Sequence, residues 1–590
     1  MIRRFLGNVL ATFVGISLFT GLVIFFIFTL VSSSSTITTD QKSVLLLKLN
    51  GNITELDIDN PVPSLDNPLN PVVDGTGLMG ILHNIEKAKN DPNIAGIVLH
   101  LQSIGAGFAS LKELREALND FKQSKKFVWA YGEYLSEGAY YLTSVANKIY
   151  LNPTGSLEFN GLSAQRTFYK GAFDKLDIKP EIFRVGTYKS AVEPYMTDKM
   201  SEASRRQTES YLNSIYDLYL KDIATSRKVS LARLTQASDS GLVQSPADAL
   251  KYQLITKIGY YDELEAEVKQ RLDLNENQKI KWVRLSKYRE VETEWEKQQK
   301  KSNHRIAVIV ADGEIRSGNG RDGIVGAAKI VKALRRARKS KSVKAIVLRV
   351  NSPGGSALAS DIMWREIHLT RKVKPVIASM SDVAASGGYY IAMACDTIVA
   401  QPNTITGSIG IFSIYFNLAA FQKNKLGITN DYVNTGKFSA LGDPSYPFTE
   451  ADRQILQRSI ERGYESFTSK AAKDRGMSLA ELKSVASGRV WAGNEAKQNG
   501  LVDVLGSFND ALAIAAKKAK LSKKDYRLWF LPVEKPLIDK IKDNLGVSVK
   551  ARQRMLKQEL GELYPYLEIL KKIKETPQVQ ARLPYDIVIK

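Results

Sequence analysis

The chain repeats itself, and each copy keeps something the other has lost. Residues 131–141 read YGEYLSEGAYY and residues 380–390 read MSDVAASGGYY, 249 positions apart. At that offset Ser386 falls opposite Glu137. Further on, residues 186–191 (GTYKSA) align with residues 435–440 (TGKFSA), and there Lys189 falls opposite Phe438. Other matches follow in the same order: 43–53 with 305–315, 94–103 with 343–352, Thr154-Gly155-Ser156 with Thr406-Gly407-Ser408, and Gly241 to Gly259 with Gly488 to Gly506. Chance matches would not keep one order, so two related units are expected. One unit holds a serine in a Gly-rich turn. The other holds a lysine on the matching loop. If the units pack as a pseudo-symmetric pair, a hydroxyl and an amine meet, which is one way to activate a nucleophile.

A chain of 590 residues exceeds what a single core supports. Short β-branched runs at 97–99 and 345–348 read as buried parallel strands. Helical patterns cover 201–236, 323–339, 357–371 and 450–485. Strands alternating with helices predict an α/β fold built of βαβ units. The expected organisation is a segment 1–36, a first repeat 37–290 supplying the lysine, a second repeat 300–530 supplying the serine, and a basic extension 531–590 with no counterpart. A linker is expected near 270–304, where Lys, Glu, Gln and Asn dominate.

At the N-terminus, Arg3 and Arg4 precede 27 uncharged residues, Phe5 to Val31. About 20 apolar residues span a bilayer core, and a cleaved signal peptide has a shorter apolar stretch, so an uncleaved transmembrane anchor is expected. The two arginines favour a cytoplasmic N-terminus, with the remainder outside the cytoplasm. The net charge of +21 is spread along helical segments such as 332–344 with no nucleic-acid motif beside it, so it reads as solvated helix faces rather than a nucleic-acid surface. The single cysteine, Cys395, excludes an intramolecular disulfide. No Cys/His cluster has metal-ligand spacing, and neither metal nor cofactor is expected.

Ser386 sits in Ala384-Ala385-Ser386-Gly387-Gly388-Tyr389-Tyr390, after the apolar run Pro375–Ser379. Small residues there allow close backbone approach, and a helix starting after Ser386 would aim free N–H groups, Gly387 first, at an oxyanion. Residues 351–356 read Asn-Ser-Pro-Gly-Gly-Ser, and Gly354 or Gly355 is the candidate second donor. Lys189 must be neutral to act as a base near neutral pH, which needs a fall of roughly 2–3 units from about 10.4, as burial can supply. Ser190 is the expected holder of its amine. His83, His100, His304 and His368 belong to no motif that sets them beside Ser386, which argues against a Ser-His-Asp triad.

The N-terminal anchor, the doubled α/β unit, Tyr-Lys-Ser-Ala-Val-Glu-Pro at 188–194, Asn-Ser-Pro-Gly-Gly-Ser at 351–356 and Ala-Ser-Gly-Gly-Tyr at 385–389 together resemble the signal peptide peptidase A (protease IV) family in its long, duplicated bacterial form. The resemblance spans nearly the whole chain. It implies two tandem domains of the Clp-protease/crotonase type and a serine endopeptidase whose Ser/Lys dyad falls on Ser386 and Lys189. It also implies a homotetramer with enclosed sites that degrades remnant signal peptides at the bacterial inner membrane. The hydrophobic peptides and membrane lipid would then be its partners. The competing readings are a non-catalytic membrane scaffold on a protease fold and a crotonase-like acyl-CoA enzyme.

Overall fold

A computed structural model describes residues 15, 19, 38–56, 77–321, 323–532 and 580–582. The expected anchor Phe5–Val31 lies almost wholly outside the described residues, and among the described residues no helix is long and apolar enough to cross a membrane.

The strands, in chain order, are β1 (Ser43–Asn52), β2 (Ile94–Gly105), β3 (Phe127–Leu135), β4 (Lys148–Leu157), β5 (Lys179–Val185), β6 (Lys257–Ile258) and β7 (Trp282–Arg284) in the first half. The second half adds β8 (His304–Asp312), β9 (Glu314–Arg316), β10 (Gly320–Arg321), β11 (Ile324–Gly326), β12 (Val343–Ser352), β13 (Gly354–Ser356), β14 (Val376–Ala385), β15 (Thr397–Ala400), β16 (Ile405–Gly407), β17 (Ile411–Asn417), β18 (Val490–Ala492), β19 (Val504–Leu505) and β20 (Tyr526–Leu531), and near the C-terminus comes β21 (Gln580–Arg582).

The duplication is visible as two sheets, the first parallel and the second parallel except at its edge strand β18, which pairs antiparallel with β16. The first runs β6-β4-β3-β2-β1-β7, and every neighbouring pair in it is parallel. The second runs β18-β16-β14-β12-β8-β20, with β15 and β19 attached to β14. Their central strands are the apolar runs read from sequence: Ile97, Val98 and Leu99 in β2 and Ile346, Val347 and Leu348 in β12 are fully buried, as strands covered on both faces require. The long helical stretches fall at Glu202–Arg227 and Glu450–Arg475, where Ser201 and Thr449 each accept an N-terminal backbone N–H, the usual service of an N-cap.

The charged segment 270–304 is folded rather than a free linker. Its Trp282–Arg284 adds β7 to the first sheet beside β1, and its helix Glu294–Lys300 is capped by Thr293 and Glu296. The apolar core is continuous across the halves: Leu99, Leu111 and Tyr141 of the first share one cluster with Val308, Val347 and Leu512 of the second.

A third sheet joins the halves, in the order β10-β11-β9-β13-β21-β17-β5. β5 belongs to the first repeat, yet it pairs antiparallel with β17 of the second over seven positions, from Ile411 opposite Val185 to Asn417 opposite Lys179. Arg453 grips Glu181 on β5 with two hydrogen bonds of 3.0 and 2.9 Å. The counterpart of β5 in the second repeat, residues 427–439, forms neither helix nor strand. It stands in solvent, with Ile428 49%, Val433 100% and Phe438 41% exposed.

Candidate active site

Lys189 and Ser386 meet. The Lys189 Nζ lies 2.8 Å from Ser386 Oγ, across 197 residues of sequence. Each side chain is completely buried. The antiparallel pairing of β5 with β17 carries the lysine there, because the chain leaves β5 at Val185 and turns at Gly186 into the second half. Tyr188 N donates to Ser487 O, which fastens the turn. Gly488 lies directly against the lysine: a Cβ at that position would come within 2.7 Å of Lys189 Cβ. Gln207 holds the loop from the other side, donating to Tyr188 O and Ser190 Oγ and accepting from Val490 N.

Ser386 ends β14 and precedes the helix Gly387–Ala392. Its φ of 55° and ψ of −112° lie in a region that non-glycine residues rarely occupy, at a cost of about 1–3 kcal/mol that the surroundings must offset. Its N–H donates to Gly407 O at 2.8 Å, so that N–H is not left for an oxyanion. Gly387, the next residue, opens the helix, where N–H groups lack intrahelical acceptors. The expected small-residue packing is present, since a Cβ on Gly388 would come within 2.5 Å of Ser352 O. Of the other oxyanion candidates, Gly354 donates its N–H to Ser352 Oγ at 3.2 Å, and Gly354 and Gly355 form β13, which flanks this helix.

Sequence reading missed the third member of the cluster. Ser408 accepts from the Lys189 amine through both Oγ and its carbonyl oxygen, each at 3.0 Å. It too has positive φ, 52°. Ser190, expected to hold the amine, instead accepts from Gln207, and its place is taken by Ser408. The repeated Thr-Gly-Ser at 154–156 and 406–408 was the available signal. The hydrogen-bonded arrangement of β14 and β16, with Ala385 opposite Gly407, sets Ser386 and Ser408 side by side.

The amine is surrounded by neutral groups. Burial alone pushes the Lys189 pKa well below its usual value, because a cation there would lose its hydration with no carboxylate to compensate. The four histidines lie elsewhere: His83 bonds Glu296 at 2.9 Å, His100 packs between Tyr131 and Tyr261, His304 starts β8 and His368 stacks on Trp364. In the first half, Glu137 occupies the serine's place. It is buried, and its Oε1 accepts the N–H groups of Asn160 and Gly161 at 2.6 and 2.9 Å.

The family model for Peptidase family S49 matches the chain twice, over residues 120–275 and 368–522. The chain belongs to peptidase family S49. Protease 4 of Salmonella typhi is 38% identical over 83% of this chain and 78% of its own. The chloroplastic serine protease SPPA of Arabidopsis thaliana is 35% identical over 83% of this chain and 73% of its own. The putative signal peptide peptidase SppA of Enterococcus faecium is 35% identical over 32% of this chain and 55% of its own. The S49 chain is therefore a serine endopeptidase acting on peptides, with the family unit present twice.

Proposed function

We propose that Ser386 is the nucleophile and Lys189 the general base and acid of this peptidase. The observation that carries the assignment is the 2.8 Å contact between the two in a site that, among the described residues, has no carboxylate or histidine partner. The neutral amine takes the hydroxyl proton as Oγ attacks the peptide carbonyl. Backbone N–H groups at Gly387 and Gly355 receive the oxyanion, the Gly354 N–H being held by Ser352 Oγ. The ammonium then protonates the leaving amine, and the amine activates water for deacylation. Ser408 aims the amine by accepting two of its protons, leaving the lone pair toward Ser386.

The base must be unprotonated, so activity rises as pH rises through the lysine pKa and is lost below it. Because burial lowers that pKa, the plateau in kcat/KM begins well below pH 10. A fluorophosphonate probe tests the assignment: peptide mapping is expected to find the adduct on Ser386, with a labelling rate that follows the same pH limb. Labelling at another serine removes the proposal. Ser408→Ala is expected to lower kcat/KM by about 10- to 100-fold and to move the acid limb, while KM changes little.

The substrates proposed are remnant signal peptides, supported by the resemblance to enzymes of that name and by the apolar run Phe5 to Val31, which would hold the site beside the bilayer on the extracytoplasmic face of a bacterial inner membrane. Two tandem domains of the Clp-protease/crotonase type, 37–290 and 300–530, are the proposed architecture. The homotetramer implied by resemblance gains support from the unpartnered arm. β5 of the first repeat reaches forward onto β17 of the second. Its counterpart, residues 427–439, reaches forward onto no strand among the described residues. Residues 163–167, the first-repeat counterpart of β17, alternate exposed and half-buried positions. A second copy is the proposed occupant of both surfaces, and a forward-reaching heterologous contact gives a ring when its rotation closes. Val433→Asp is expected to convert the assembly to smaller species in light scattering at micromolar concentration. An unchanged mass would show that this arm is not the contact.

A further inference from the structure

A cavity of about 530 Å³ opens at the edge of the first sheet where its parallel strands begin. The starts of β3 and β4 form one wall, with Trp129 and Lys148. Lys122, Lys125 and Lys126 come from the turn between the helix Phe108–Lys122 and β3, and Arg271 ends the helix Tyr261–Arg271. These five cations face one carboxylate in the lining, Glu267. The carboxylates nearby are already taken, Asp120 by Lys89 and Glu267 by Lys148 and Lys257. Among the described residues, Lys122, Lys125, Lys126 and Arg271 form no ion pair.

The second repeat shows what is missing. Lys122 donates to Val145 O at 2.7 Å, and Lys126 to the carbonyls of Ala88 and Asp91 at 2.7 and 2.6 Å. At the matching place Arg371 donates to Ala394 O at 3.0 Å, and Lys374 to the carbonyls of Ala337 and Ser340. These four side chains fasten the same corner in both halves. In the second half the charge is balanced. Asp396 accepts the Val376 N–H and lies 3.6 Å from Arg371, which has Asp474 at the same distance. The counterpart of Asp396 is Asn147, which accepts the Val128 N–H in the same way and carries no charge. Next to it, Lys148 stands where the second repeat has Thr397. The first repeat has thus given up a carboxylate and gained a cation at this corner, and an anion would restore the balance.

The cavity also lies where the chain arrives from the apolar run Phe5 to Val31. Thr39 Oγ1 donates to the Asp91 carboxylate at 3.1 Å, and the carbonyl of the same Asp91 accepts from Lys126. Lys42 donates to Leu272 O at 2.7 Å, one residue beyond Arg271. Thr39 follows Val31 by eight positions, a reach of at most about 28 Å. The Trp129 ring is 4% exposed and is covered by Lys148, whose Nζ lies 4.6 Å from the ring centre, so no aromatic face is free to stack a nucleotide base. Recognition of a phosphate group by cations remains. We propose that this cavity binds the phosphodiester headgroup of an anionic phospholipid and holds the first repeat against the bilayer surface. The placement at a membrane rests on the anchor reading of Phe5 to Val31, while the preference for an anion rests on the cavity alone. A second attachment fixes how the molecule is turned about its anchor, which a single apolar segment cannot do.

The full chain in a neutral detergent is titrated calorimetrically with dihexanoyl phosphatidylglycerol, with dihexanoyl phosphatidylcholine and with inorganic phosphate. Phosphatidylglycerol is expected to bind at a single site per chain, and the zwitterionic lipid at least about tenfold more weakly. Lys125 and Arg271 are both exposed and make none of the fastening contacts above, so Lys125→Gln with Arg271→Gln leaves the fold and basal peptide hydrolysis unchanged. At about fivefold per cation, this pair of changes is expected to weaken phosphatidylglycerol binding about 25-fold. Lys332→Gln with Lys339→Gln removes the same charge from an exposed face of the helix Ala327–Lys339 and is expected to alter binding less than about twofold, since screened distant charges contribute little. Binding unaltered by the first pair, or lowered equally by both pairs, overturns the proposal. Inorganic phosphate bound as tightly as phosphatidylglycerol makes this a site for a free anion and overturns the lipid assignment. Alkaline extraction of membranes reads the anchor separately: release of the chain with phosphatidylglycerol binding intact removes the anchor reading and leaves the headgroup site standing.

Discussion

Ser386→Ala is expected to reduce peptide hydrolysis by at least about 10⁴-fold, and Lys189→Met to do nearly the same. Each change removes one member of a hydrogen-bonded pair that is proposed to act as a unit. The double variant should therefore be no slower than either single one. That non-additivity is the informative part of the measurement. If Lys189→Met retained a tenth of the activity, another base would have to serve Ser386, and no imidazole is within reach. Lys189→Arg is expected to be as inactive as the methionine variant, because guanidinium does not deprotonate in this pH range. The folded state should survive, since Lys189 makes no ion pair and a thioether fills a similar volume.

The largest stability effect is expected at Arg349. This side chain is fully buried between the halves and carries two carboxylates from the first repeat. Its Nε donates to Glu55 at 2.9 Å, and Nη1 and Nη2 donate to Glu113 at 2.9 and 3.0 Å. Ser379 and Ser381 accept further N–H groups at 3.0 and 2.9 Å. Arg349→Met leaves both carboxylates buried and unpaired, at a cost of about 3–5 kcal/mol, read as a lower denaturant midpoint. The deficit has a pH signature. Glu113 is already pushed up to about 7 by burial, against the pull of Arg349, and loss of the guanidinium pushes it higher. Protonation relieves the unpaired charge, so the variant's deficit is largest at alkaline pH and shrinks as pH falls toward about 7, below which Glu113 is protonated in both folded proteins. A deficit independent of pH would mean that lost packing, rather than unpaired charge, dominates.

The pair at the centre of the molecule was legible because the repeat acts as an internal alignment. Lys189 and Ser386 stand out only against Phe438 and Glu137. Ser408 was visible as part of a repeated Thr-Gly-Ser, but its role depends on β14 and β16 lying side by side, which spacing along the chain does not encode. Arg349 was hidden more deeply. A lone arginine in the run Val343–Ser352 offers no hint that Glu55 and Glu113, some 294 and 236 residues earlier, come to meet it. Segment 270–304 read as a linker because its surface is highly charged, while Trp282, Leu285 and Tyr288 supply the few inward contacts that bind it to the first sheet. Ser190 was a reasonable guess from adjacency, but the loop turns its hydroxyl toward Gln207.

The crossing of β5 into the other half has a consequence for how the reaction centre behaves on dilution. A base and a nucleophile borne by separate polypeptides would part company at low concentration, and turnover would fall with the square of enzyme supplied. Here the polypeptide itself tethers Lys189 and Ser386, the proposed base and nucleophile, so their effective concentration is set by the fold and not by the solution. Each reaction centre is an internal property of one molecule, even though its geometry is that of an encounter between two.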